Sequence, residues 1–91
     1  MKINDLYQII CDRRDHPKSG SYTTSLFIKG EDEIVKKVGE EAIEVVLAAN
    51  GQSNQRLVEE IADLTYHVLV LLSEHHLSPS DIELELDRRH Q

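Results

Sequence analysis

The sequence has no tryptophan, one phenylalanine and three tyrosines, so aromatic residues fill only 4% of its 91 positions. A core must therefore be assembled from Leu, Ile, Val and Ala carried on helices. A single cysteine, Cys11, excludes a disulfide within the chain and fits a reducing compartment. The longest apolar runs, Val45 to Ala49 and Val68 to Leu72, fall far short of the roughly 20 residues that cross a bilayer, so no membrane partner is expected. Residues Met1 to Leu6 lack the basic and apolar parts of a signal peptide, and a cytoplasmic protein is expected. Positive charge is also scarce. Ten Lys and Arg face seventeen Asp and Glu, for a net charge of -7, which excludes a general nucleic-acid surface. A chain this short buries only roughly 60 to 65% of its unfolded surface, which suits one domain over residues 1–91 whose modest core association would help.

What the sequence does have is two amphipathic segments interrupted by acids, between Lys36 and Leu72. On a wheel of about 100° per residue, Ile34, Val35, Val38, Ala42, Val45, Val46 and Ala49 span roughly 120° and predict a core stripe. Ile43 and Leu47 form a second apolar patch, and Glu40, Glu41 and Glu44 lie between the two. In the following segment Leu57, Val58, Ile61, Ala62, Val68, Leu69 and Leu72 form the main stripe, bordered by a band of Glu60, Asp63 and His67. That helix is apolar almost all round. Tyr66 and Val70 lie off its main stripe, so a second copy of the chain is expected to cover them, in a homodimer.

A short Asn50 to Asn54 connection favours an antiparallel hairpin, in which the two acidic edges can face each other. Four or five carboxylates brought together in a partly buried place need a counter-ion or raised pKa values. Mg2+ suits them: it prefers carboxylate oxygens and commonly shares its shell with substrate phosphates. Glu40, Glu41, Glu44, Glu60 and Asp63 account for five of the seven excess negative charges, so the acidity is concentrated here. The alternative is a helical dimerisation module whose acids only solvate a bundle.

Elsewhere the sequence predicts a first helix over about Asp5 to Arg14, capped by Asn4 and apolar at Leu6, Ile9 and Ile10. Asp15 to Ser25 reads as a loop whose Ser19 to Thr24 run offers hydroxyls and backbone donors to phosphate oxygens, with Leu26, Phe27 and Ile28 packing it down. Glu31, Asp32 and Glu33 complement the positive end of the second helix. Gly39, costly inside a helix, suggests a close approach there, and Lys37 falls within the acidic seam. Asn50-Gly51 stops this helix, Ser53 or Asn54 starts the next, which runs to about His75, and Ser78-Pro79-Ser80-Asp81 starts a last short one.

Ser21-Tyr22-Thr23, then Lys37-Val38-Gly39-Glu40-Glu41-Ala42 with Glu44, then Glu60, Ala62-Asp63-Leu64 and Tyr66-His67, resemble phosphoribosyl-ATP pyrophosphatase, over nearly the whole chain. The Glu-Glu-x-x-Glu and Glu-x-x-Asp elements are similar to those of the all-α NTP pyrophosphatase (MazG-like) group. The Ser-Tyr-Thr and Tyr-His elements point to its histidine-biosynthesis branch. The resemblance implies a homodimeric bundle of about four helices that uses Mg2+ to hydrolyse phosphoribosyl-ATP to phosphoribosyl-AMP and pyrophosphate. On this reading Glu41, Glu44, Glu60 and Asp63 hold metal, Glu40 is a further ligand or the base, and Ser21, Tyr22, Thr23, Lys37 and His67 bind substrate. A rival within the group is a house-cleaning enzyme for ordinary or damaged nucleoside triphosphates. With 91 residues and one cysteine, no fused phosphoribosyl-AMP cyclohydrolase domain is expected.

Overall fold

Four of the five helices begin where a side chain accepts from a backbone N–H of the first turn or cap; the third begins at a glycine. The computed structural model describes residues 1–90, and among these the only regular elements are five helices: α1 Ile3–Asp15, α2 Tyr22–Lys29, α3 Glu31–Gly51, α4 Asn54–Glu74 and α5 Pro79–Arg89. Ser53 caps α4 by accepting from the Arg56 N–H at 3.2 Å, and Asp81 anchors the start of α5 by accepting from the Ser78 N–H at 2.8 Å. Asn4 does not cap α1. That helix starts earlier, at Lys2, whose N–H donates to the Asp5 carboxylate at 3.3 Å.

The expected loop up to Ser25 is shorter than predicted, because Ser21 accepts from the Thr24 N–H at 3.1 Å and starts α2. Five helices therefore replace the expected four or so. The hydroxyl-rich sequence has weak helix propensity, but tertiary burial of Thr24 and Leu26 overrides it, while Ile28 stays 76% exposed. Gly30, at φ +96°, supplies the one backbone conformation that lets α2 pass directly into α3.

α3 and α4 form the antiparallel hairpin, tied at its open end by a hydrogen bond between His75 Nε2 and the Glu31 carboxylate. α1 and α2 close over that end. Their Tyr7, Ile10 and Leu26 meet Ile34 of α3 and Leu69 and Val70 of α4 in the core. Buried Ser73 is satisfied there by Arg14, whose guanidinium donates to the Ser73 carbonyl at 2.7 Å and to its hydroxyl at 3.1 Å. α4 stops in a Schellman turn: the Leu77 N–H reaches the Leu72 carbonyl, the His76 N–H reaches Ser73, and His76 takes φ +57° without being glycine.

The core faces match the predicted stripes only in part: Ile34 and Leu69 are buried and Leu72 packs against them. Val70, expected on an outer surface, is fully buried by α1 and α2, and Tyr66 packs against the same core. The expected core residues Val35 and Val46 of α3, and Val58 and Ile61 of α4, are instead 45 to 62% exposed. Because α4 is apolar on nearly every side, periodicity alone could not say which side its own chain would cover. Gly39 has nothing within 4 Å of where a Cβ would stand, so no close approach within the chain explains it.

Candidate active site

Beyond the core, the middle of α3 passes the first half of α4 with their acidic edges together. One carboxylate oxygen from each of Glu41, Glu60 and Asp63 lies within 4.8 Å of the others. The helices impose this arrangement: Glu60 and Asp63 are one turn apart on α4, and Glu41 meets them from α3. Glu60 is buried, Glu41 half-buried and Asp63 exposed, so the cluster runs from the interior to solvent. Three hard oxygen donors graded in this way suit a divalent cation that keeps open positions for water and phosphate.

Glu44 and Glu40 do not join this close group. Glu44 is exposed one turn further along α3. Glu40 turns to two lysines, lying 3.8 Å from Lys36 and 3.5 Å from Lys37. The Lys37 ammonium is held above its ordinary pKa, first by the neighbouring Tyr22 oxygen and then by the Glu40 carboxylate. Lys37 is therefore a fixed positive charge beside an acidic cluster.

The hydroxyls of the α2 turn, expected to face phosphate, are engaged within the protein. Ser21 caps the helix, Thr24 accepts from the Lys18 N–H at 3.0 Å, and Thr23 bonds the Tyr66 hydroxyl. The Tyr22 hydroxyl lies 3.0 Å from Nε2 of His67. Burial raises the pKa of both Tyr22 and Tyr66, so both phenols keep their protons through neutral pH. His67 is buried, and its Nδ1 lies 2.7 Å from the backbone carbonyl of Asp63, not from the Asp63 carboxylate.

Two participants escaped the sequence reading. Arg56 bonds both Glu59 and Glu60 and is the cation that balances the cluster's buried member. Its i, i+4 spacing to Glu60 was the available signal. Tyr66 was assigned outward, and only the position of α2 explains its bond to Thr23. Two open clefts, of about 720 and 350 Å³, lie elsewhere on α4, against α1 and α5, and neither includes a residue of the acidic cluster.

The profile of the phosphoribosyl-ATP pyrophosphohydrolase family matches residues 3–90. Similar proteins include the phosphoribosyl-ATP pyrophosphatase of Listeria welshimeri, 56% identical over 96% of this chain and 84% of its own length. That of Pelotomaculum thermopropionicum is 54% identical over 98% of this chain and 91% of its own, and that of Clostridium botulinum 51% identical over 98% and 81%. The chain belongs to the phosphoribosyl-ATP pyrophosphohydrolase family and is a hydrolase of histidine biosynthesis that acts on phosphoribosyl-ATP.

Proposed function

We propose that hydrolysis occurs at the facing acidic edges of α3 and α4, that it depends on Mg2+, and that the working form is a cytoplasmic homodimer. The convergence of Glu41, Glu60 and Asp63 carries this reading: of these three carboxylates, with oxygens within 4.8 Å of one another, Arg56 pairs Glu60, and a shared divalent cation would serve all three. These three, with Glu44 one turn beyond Glu41, are the proposed ligands. When bound, Mg2+ offsets the charge of the triphosphate and makes water a stronger nucleophile.

The chain's own groups do the rest. Lys37, held by Glu40, offsets the charge of the departing pyrophosphate. Glu40, outside the close group, takes the proton released as water adds to phosphorus. At the start of α2 the N–H groups of Tyr22 and Thr23 have no intrahelical partner, and together with the helix dipole they receive a substrate phosphate beside Ser21, whose own N–H bonds the Lys18 carbonyl and whose hydroxyl caps the helix. His67 serves binding through its bond to Tyr22.

The homodimer rests on surface. The chain exposes 6287 Å², against about 5400 Å² for a compact monomer of this mass. The excess is near the roughly 800 Å² per partner of a standard interface. Its apolar part includes Ile43, Val46 and Leu47 of α3 and Val58 and Ile61 of α4. No helix among the described residues is long and apolar enough to cross a membrane, so a membrane is not the proposed cover.

The test is a competition assay. Phosphoribosyl-ATP and each common NTP are offered with Mg2+, and pyrophosphate release is followed. Preference for phosphoribosyl-ATP by at least an order of magnitude in kcat/KM is expected. Preference for an NTP would move the chain to the house-cleaning role.

A further inference from the structure

The first turn of α2 is joined to α4 twice, side by side. Tyr22 bonds His67 at 3.0 Å and Thr23 bonds Tyr66, so two consecutive residues of one helix grip two consecutive residues of the other. The rings interlock as well. Tyr66 and His67 meet edge to face with centroids 4.9 Å apart, and Tyr22 stacks obliquely on Tyr66 at 6.2 Å.

The direction of the Tyr22 bond follows from its neighbour. His67 Nδ1 faces a carbonyl, which can only accept, so in the neutral ring that nitrogen carries the hydrogen. Nε2 is then the acceptor and the Tyr22 hydroxyl donates to it. This commits the hydroxyl's proton while leaving the residue 49% exposed, within electrostatic reach of Lys37 and Glu41. A tyrosine whose proton is held from behind and whose surface remains open presents its ring.

We propose that Tyr66 and His67 are positioning residues that clamp the first turn of α2, so that the ring face of Tyr22, and not its hydroxyl, forms a wall beside the acidic cluster on which the substrate's purine stacks. This rests on the function proposed above. Aromatic stacking tolerates small changes at the ring edge but requires the ring itself. The clamp therefore acts on substrate affinity, because it does not touch the carboxylates of the cluster.

The test is steady-state kinetics with phosphoribosyl-ATP, read as KM against kcat, together with thermal melts. Tyr66→Phe and Tyr22→Phe keep the rings and remove single oxygens. Each is expected to raise KM about three- to tenfold with kcat within twofold. Tyr22→Leu removes the ring and is expected to raise KM by more than tenfold beyond Tyr22→Phe at a similar melting temperature. Because Thr23 and Tyr66 share one bond, Thr23→Val combined with Tyr66→Phe is expected to be no worse than either alone. Equal KM values for Tyr22→Phe and Tyr22→Leu would assign the work to the hydroxyl and overturn the proposal. So would an unchanged KM in Tyr66→Phe, or additive effects of the pair. A wild-type protein inactive on phosphoribosyl-ATP would sink the functional reading instead.

Discussion

One side of α4 is finished by its own chain and another is not. Towards α1 and α2, Leu69, Val70 and Ser73 are buried, and the one full hydroxyl among them has its partner in Arg14. Towards the hairpin tip, Val58 and Ile61 stand open beside a cleft, and α5 adds Ile82, Leu84 and Leu86 to the exposed apolar surface without burying any residue of its own. The acidic cluster lies between these two regions. A site so placed can be rigid on one flank, where α2 is bonded to α4, and open on the other to substrate, metal and a second copy. The radius of gyration expresses the same division: 14.2 Å, against about 12 Å for a compact domain of this length.

The sharpest way to break the comparison is at the boundary itself. Glu60→Gln keeps shape and burial but removes one of three converging charges, and turnover is expected to fall at least about 100-fold, measured as pyrophosphate release. Its melting temperature without metal is expected to change little, because the lost attraction to Arg56 is offset by relief of repulsion from Glu41 and Asp63. Next comes the open flank. Val46→Glu with Val58→Glu places two charges in the apolar surface, and burying an unpaired charge costs several kcal/mol. Light scattering is expected to show a mass half that of the wild type.

On the closed flank the effects are smaller. Tyr7 donates to the Leu77 carbonyl, and burial first, then Cys11, pushes its pKa up to about 12. A phenol raised in the folded state favours folding below its unfolded value near 10, and that contribution is lost as pH rises from about 10 to about 12. Urea unfolding at pH 9 and pH 12 is expected to show wild type losing about 2 kcal/mol more than Tyr7→Phe over this interval. Smallest of all, His76→Gly relieves a left-handed residue at the end of α4 and is expected to raise stability by about 0.5 to 1 kcal/mol, since the strain relieved exceeds the added freedom of the unfolded chain.

The same division governs what could be read in the sequence. Helices α3, α4 and α5 were legible because their apolar residues and acids recur at helical spacing, and Ser53 and Ser78-Pro79 start α4 and α5 as expected. The meeting of Glu41 with Glu60 and Asp63 followed from two local patterns and one short turn. Which apolar face of α4 would be covered was not legible, because Val58 and Val70 are chemically alike and only the path of α1 and α2 distinguishes them. Nor was the fate of the Tyr22 and Thr23 hydroxyls, since a hydroxyl on a predicted loop carries no sign of the partner 43 or 45 residues away.

One cation shared across the α3–α4 hairpin is what the proposed hydrolysis requires. Calorimetric titration with Mn2+ at millimolar concentration, on wild type and on Glu60→Gln, tests this without substrate or turnover. Saturable binding by the wild type and its loss or a tenfold or greater weakening in the variant is the predicted result. Equal binding by both, or none by the wild type, would contradict it.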